Sequence, residues 1–521
     1  MIEIAIALSP IVLLFVIMII MRKPAIKAMP VAYFAAAAIG IFYWKMNLNV
    51  LGAASIKGIL IALDIILIII GAIFLLEILK KAKLIESIDD LLKHISHDRR
   101  IHAIIIAWSF SAFIEGAAGF GTPAALSAPL LVGLGIGALP AVIVSLIANS
   151  TPVSFGAVGT PIIIGLGSSI EGSSEILLKQ VGIYTALIHS LIGLFIPLMI
   201  SCALTKFGKE KSFRKGLEIW PFALFAGACF VAPYFIIAVF LGPEFPSLLG
   251  GLIGFAVLII GAKKGFFIPA RLRLKNINME KGKAVRALLP YFFVAMILVL
   301  TRLGAVNSFL RNAGIEFNNL LGTGIGQTFY PLLSPGLIFL IAASATLILI
   351  KLPAKKAIES VKITASKCVY AFITLAFAVA LVQIFIFSGN NSSGLPGIPL
   401  LIAHSAASFA GKAFVLFSPF IGMFGAFIAG SNTVSNLLFA SFQQQTALAL
   451  GLPAVIILAL QTVGGAVGNM IAIHNIIAAS ATVGLKGEEG TIVKSNIGIA
   501  SLYALIAGII GFILVILFQN I

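Results

Sequence analysis

Residues 111–131 read SAFIEGAAGFGTPAALSAPLL. The stretch is apolar enough for a membrane, yet its middle carries Glu115, Gly116, Gly119, Gly121, Thr122 and Pro123. A helix facing lipid cannot hold such a break, because unpaired backbone groups at membrane depth need protein or water around them. We therefore read about 101–131 as a re-entrant hairpin, not a span. A second interrupted stretch, about 414–447, contains AFIAGSNTVSNLLFASFQ at 426–443 and is read the same way.

The rest of the chain supports a membrane setting. Of 521 residues, 60% are hydrophobic and 10% charged, against about 25% charged in an ordinary globular chain. Mean hydropathy is +1.14. A soluble fold of this size would need a charged shell that these residues cannot supply, which excludes a soluble enzyme and a nucleic-acid binder. Twelve apolar runs read as spans: 4–21, 29–46, 56–79, 139–167, 178–204, 217–241, 247–262, 287–304, 332–350, 368–388, 452–475 and 497–519. With the N-terminus outside and each hairpin returning to its own side, 29 of the 35 basic residues fall in inside loops. That bias is the positive-inside pattern of a multi-pass protein in the cell membrane. Both termini are then expected outside. No basic leader precedes the first apolar run, so a cleaved signal peptide is not expected. Cys202, Cys229 and Cys368 make no CxxC pair.

The chain also repeats itself. AFIEG at 112–116 returns as AFIAG at 426–430, LPAVI at 139–143 returns at 452–456, and GAVGTP at 156–161 returns as GAVGNM at 465–470. The same order at nearly the same offset pairs spans 1–5 and hairpin 1 with spans 8–12 and hairpin 2. Seven spans separate the starts, an odd number, so the copies should have opposite orientation. The expected architecture is all-α: about 12 transmembrane helices and two re-entrant hairpins in two inverted-topology repeats, a common plan in secondary transporters. Residues 1–205 form the first repeat, 206–286 the connector with spans 6 and 7, and 287–521 the second repeat. Stretches at about 84–95 and 396–413 read as interfacial helices that precede each hairpin, the second placing Lys412 at the interface.

Chemistry is expected where the breaks meet. Gly116, Gly119 and Gly121 let backbone approach closely, and Thr122-Pro123 suits the start of a returning half-helix. Ser431, Asn432, Thr433, Ser435 and Asn436 suit the same position in hairpin 2. The following spans are broken too, at Asn149, Ser150, Thr151 and Thr160 in the first copy, and at Gln461, Thr462, Gly465 and Asn469 in the second. Four helix ends near midplane would form an anion site, since free N–H groups and the dipole attract a carboxylate. Isolated small residues would otherwise only permit tight helix packing. Glu115 stands at the tip of hairpin 1, and an intramembrane carboxyl is a functional candidate. It could carry a proton alongside an anion, or serve as a capping carboxylate at the boundary. Asp64 in span 3 is a candidate for coupling or for a structural hydrogen bond, and His474 for proton or substrate contact. His189 in span 5 is a weaker candidate. Glu77 and Glu218, near inside ends, are expected to be solvated.

No HExxH, GxSxG or GxxxxGK[ST] pattern occurs. His94, His97 and His102 make one close cluster, read as a solvated loop beside Asp98 and Arg99. An integral-membrane enzyme is therefore the weaker class. No cofactor is expected. Without an ATP-binding domain, concentrative transport must draw on an ion gradient.

The stretches at 107–135 (AWSFSAFIEGAAGFGTPAALSAPLLVGLG) and 146–162 (LIANSTPVSFGAVGTPI) closely resemble the L-lactate permease family. The stretches at 430–451 and 462–471 resemble its C-terminal signature. The resemblance implies proton-coupled import of lactate or a related 2-hydroxy monocarboxylate such as glycolate. It also implies an elevator mechanism, as in the ion transporter superfamily. It assigns the site to Glu115, Gly116, Gly119, Gly121, Thr122, Pro123, Asn149, Ser431, Thr433 and Asn436. Several bacterial members carry Asp at position 432 and Lys at 469, where this chain has Asn432 and Asn469. Where those members have Pro-Gln, this chain has Ile473-His474. The tip also resembles those of sodium-coupled dicarboxylate carriers. That implies an alternative, sodium ligation by Asn149, Ser431, Asn432 and Thr433 with another small organic anion as substrate. A homodimer is left open.

Overall fold

The computed structural model describes residues 2–21, 23–84, 96, 98–119, 121–170, 172–272, 289–290, 293–294, 296–297, 300–301, 304–485 and 487–519. Most of expected span 8 with Arg302, the interfacial stretch after Leu84, and His94 and His97 lie outside them.

The chain opens with α1 (Ile2–Phe15), α2 (Ala25–Phe42) and α3 (Leu48–Lys81). Next come α4 (Arg99–Ala118), α5 (Thr122–Gly133), α6 (Ala138–Ala148) and α7 (Pro152–Leu166), with a 58° bend between α6 and α7. The middle holds α8 (Glu175–Gly193), α9 (Ile196–Phe207), α10 (Trp220–Leu241) and α11 (Pro246–Lys263), with α12 (Gly304–Arg311) after the gap. Then follow α13 (Pro335–Leu349), α14 (Ala354–Phe387), α15 (Ile398–Ala410), α16 (Phe414–Ala429) and α17 (Asn432–Ala449). The last are α18 (Ala454–Gly468), α19 (Ile473–Thr482) and α20 (Glu489–Gln519).

Among the described residues, ten helical stretches are long and apolar enough to cross a membrane, or eleven counting the bent α6–α7 pair. The expected first and ninth spans are shorter, at Ile2–Met18 and Pro335–Leu349. One small feature was not expected from an all-helical pattern. Strands β1 (Ile315–Phe317) and β2 (Gln327–Phe329) pair antiparallel, with Ile315 opposite Phe329.

Helices α3 and α14, both 34 residues long, are packed side by side. A side chain at Gly58 would come within 2.4 Å of the Ala380 backbone, so glycine is what lets these helices touch. At about 1.5 Å per residue, such helices outrun a ~30 Å hydrocarbon core. Their charged ends therefore stay helical beyond the apolar run. This corrects the expected loop at 351–367: the helix begins at Ala354. Pairs between the two helices hold this end together. Lys367 Nζ donates to Glu77 Oε1 at 2.8 Å, and Lys81 pairs with Glu359. Glu77 is thus 5% exposed and paired, not solvated as its position near a helix end suggested. Glu218 remains half-exposed and meets Arg100.

The buried apolar residues form two clusters. One is centred on α1–α3 and α14 and takes in residues of α7, α16 and α17; the other gathers α4–α11 with α13, α16–α20 and the end of α3. Lys412 is exposed in the short turn between α15 and α16.

Candidate substrate and coupling site

Two helix–turn–helix units and two broken helices converge on one point. In the first unit α4 ends at Ala118, and Gly119 and Gly121 turn the chain with φ of +56° and +76°, angles that glycine adopts without strain. Pro123 sits in the first turn of α5, where its missing N–H costs no hydrogen bond. In the second unit Gly430 turns the chain with φ +70°. The Ser431 hydroxyl then caps α17, accepting from Val434 N–H at 3.4 Å. The first broken helix parts at Asn149–Thr151, and Ala157, Val158 and Gly159 all take left-handed φ of 43°, 56° and 74°. Left-handed backbone at a β-branched residue such as Val158 is strained, and such strain gathers at functional sites. The second broken helix parts at Asn469, between α18 and α19.

These breaks line a cavity of about 20 Å³, room for roughly one water molecule. Eight residues expected at the site line it: Glu115, Gly119, Gly121, Asn149, Ser431, Asn432, Thr433 and Asn469. Val153, Gly156, Ala157, Pro161 and Gly430 complete the wall. Glu115 is 3% exposed, and Asn149 Nδ2 donates to its Oε2 at 3.1 Å. Its other oxygen lies where a Gly156 side chain would be, 2.1 Å from an added Cβ. A neutral group makes a similar contact near Gly465. Asn432 Nδ2 donates to Thr462 O at 3.1 Å, and its Oδ1 lies 2.0 Å from a Cβ added at Gly465. Gly156 and Gly465 are the matched glycines of the two GAVG motifs. The side-chain oxygens Asn149 Oδ1 and Asn432 Oδ1 are buried and have no hydrogen-bond partner.

Other expected residues are placed around the cavity, not in its wall. Gly116 packs against the backbone of Ser247–Leu248, where a side chain would clash at 2.2 Å. Thr122 begins α5 next to Gly121. The Ser150 hydroxyl donates to Ile147 O at 2.8 Å, and that of Thr160 to Ala157 O. Thr151 turns toward Tyr503 at 3.2 Å. Asn436 Nδ2 donates to Pro161 O at 2.9 Å and Thr462 Oγ1 at 3.3 Å, tying α17 to both broken helices. Asp64 lies elsewhere, in a separate cavity of about 710 Å³ with Lys57 and Gln383; Ser334 Oγ stands 3.5 Å from its Oδ1. His474 packs against Gly430, and its Nε2 accepts from Ala25 N–H at 3.4 Å.

Two buried polar residues near the site, Gln443 and Asn475, were not singled out in the sequence. Gln443 Nε2 donates to Ser418 O at 3.0 Å and to Gln461 Oε1, and Gln461 Nε2 donates to Ser435 Oγ at 3.1 Å. Asn475 Nδ2 donates to Asn469 Oδ1 at 2.7 Å, beside Gly121. Gln443 lies seven residues, about two helical turns, after Asn436 on α17 and so on the same face; that spacing is the signal that could have found it.

A bundle of membrane-length apolar helices around a buried polar cavity at paired helix breaks defines a multi-pass membrane transporter. The sequence matches the L-lactate permease family over residues 3–518, and the chain belongs to that family. The family consists of permeases, not enzymes. A Haemophilus influenzae protein is 32% identical, covering 100% of both chains. The L-lactate permease of Bacillus subtilis is 30% identical over 97% of this chain and 95% of its own. A glycolate permease of Escherichia coli is 26% identical over 97% and 94%. Among solved structures, the YdaH transporter of Alcanivorax borkumensis superposes with a TM-score of 0.41 at 13% identity, covering 89% of this chain and 86% of its own.

Proposed function

We propose that this permease imports L-lactate or a related 2-hydroxy monocarboxylate such as glycolate across the cell membrane, by proton symport. The observation behind this reading is the single cavity in which both tips and both helix breaks meet around Glu115. The names of the relatives supply the substrate class. The N-terminal ends of α5 and α17 adjoin the cavity through Gly121 and Ser431, and such ends attract carboxylates. Glu115 carries the coupling proton: in its neutral form it no longer repels the substrate carboxylate.

The cavity of about 20 Å³ is too small for a three-carbon acid, so substrate binding requires it to widen. Opening proceeds by an elevator movement. The two halves are inverted-topology repeats with both termini outside; the α4–α5 hairpin enters from the cytoplasm and the α16–α17 hairpin from outside. Helices α4–α9 and α16–α20 move as one body against α1–α3, α13 and α14. The apolar cluster centred on α1–α3 and α14 supports a scaffold built on those helices, while α13 and the end of α3 pack in the other cluster.

One observation favours a second reading. Asn149 and Asn432 each keep a buried, unpartnered oxygen, and hard cations take oxygen ligands. Under that reading sodium binds there with Ser431 and Thr433, and Glu115 stays ionised. Counterflow of labelled lactate in proteoliposomes, with pH and sodium varied separately, tests both. Counterflow with proton-driven and sodium-independent accumulation is the expected result. Accumulation only on a sodium gradient would select the second reading, and no counterflow of lactate or glycolate would reject the substrate class.

A further inference from the structure

We infer that His189 is a positioning residue for this transport site, acting through Ser154 and the Thr462 carbonyl. The inference rests on the reading of the cavity as the substrate site.

His189 lies on α8, fully buried, and does not line the cavity. Both its ring nitrogens are nevertheless engaged: Nε2 stands 2.7 Å from Ser154 Oγ, and Nδ1 stands 2.6 Å from Tyr503 Oη. Counting protons settles the direction of each bond. A backbone carbonyl can only accept, so the single Ser154 hydroxyl proton goes to Thr462 O at 3.3 Å. Ser154 Oγ then accepts from His189 Nε2–H. The neutral ring's Nδ1 accepts from the Tyr503 hydroxyl, and Tyr503 Oη accepts from Thr151 Oγ1–H at 3.2 Å. In this order every hydroxyl proton in the chain is used. In the reverse order the bond from Ser154 to Thr462 is lost.

The two ends of this chain matter for the site. Thr151 ends the break between α6 and α7 and Ser154 lies in the first turn of α7, on either side of Val153, and Val153 and Gly156 are in the cavity wall. Thr462 O, on α18, also accepts from the cavity residue Asn432. His189 and Tyr503 thus clamp the first broken helix to the second, and they hold the carbonyl that orients Asn432. A network with all its partners satisfied fixes one arrangement, while a partly satisfied one does not.

Tyr503→Phe removes the donor to Nδ1 and keeps the ring, and His189→Leu removes the clamp. His189→Gln keeps one donor and one acceptor. The measurement is KM and maximal rate for lactate uptake, normalised to folded transporter in the membrane. We expect Tyr503→Phe and His189→Leu to raise KM about tenfold, the effect of one or two lost buried hydrogen bonds. Maximal rate should stay within about twofold, and His189→Gln should recover most of the affinity. An unchanged KM in Tyr503→Phe, with uptake tracking only the amount of folded protein, overturns the inference even if His189→Leu does not fold. Absence of lactate and glycolate uptake by the unsubstituted protein overturns the substrate reading instead, and this inference with it.

Discussion

At the scale of single residues, the site depends on two glycines that make room for polar groups. An added methyl at Gly156 would sit 2.1 Å from Glu115 Oε1, and one at Gly465 would sit 2.0 Å from Asn432 Oδ1. Neither oxygen can stay where it is, and overpacking of this kind costs about 1–3 kcal/mol. Gly156→Ala and Gly465→Ala should therefore each cut lactate uptake about tenfold or more while the protein still reaches the membrane. Uptake close to that of the unsubstituted chain would show that these contacts do not matter. Glu115 makes the sharper test. Under proton coupling, Glu115→Gln keeps the acceptor for Asn149 and removes the titratable proton. Exchange of labelled lactate should persist, while accumulation on an imposed pH gradient disappears. Accumulation that survives in Glu115→Gln without sodium would falsify Glu115 as the proton carrier.

At the scale of elements, glycine contacts set how closely α3 and α14 pack. Gly58 meets the Ala380 backbone, and Gly71 meets Gly336 at the start of α13. Gly58→Leu must push these helices apart. It should lower the thermal unfolding temperature of the purified protein by several degrees, about the effect of 2–4 kcal/mol. Gly498→Leu, on the exposed face of α20 with nothing within 4 Å, should change it little. Equal shifts in both variants would remove the packing argument. The length of α14 belongs to this scale as well. Lysines in 351–367 read as a loop because charge interrupts hydropathy. Helix formation does not stop where lipid stops, and the Lys367–Glu77 and Lys81–Glu359 pairs give this charged end partners across the helix pair.

At the scale of the whole molecule, the proposed movement requires two bodies to slide past each other. Gln383 on α14 donates to Ser168 O, just beyond α7, at 2.8 Å, so these residues bridge the proposed boundary. Cysteines at 168 and 383, joined by a short bifunctional reagent, should stop lactate uptake and leave lactate binding intact. Full uptake after complete crosslinking would rule out movement along this boundary. The amino-acid sequence by itself determined the class of the protein. Apolar runs at membrane length, basic loops and twin interrupted stretches follow from the solvent the chain must live in, and solvent acts on local composition. It also marked the breaks, because Gly, Pro, Ser and Asn change backbone geometry within a few residues of themselves. Only the tertiary structure decided which polar groups face one another. It set Glu115 against Gly156, moved Asp64 to another cavity, buried Glu77 with Lys367, and joined Gln443 to Gln461 and His189 to Tyr503. Those pairings depend on the crossing of helices distant in sequence, where a polar atom's partner is chosen by packing in three dimensions, and hydropathy along the chain holds no record of it.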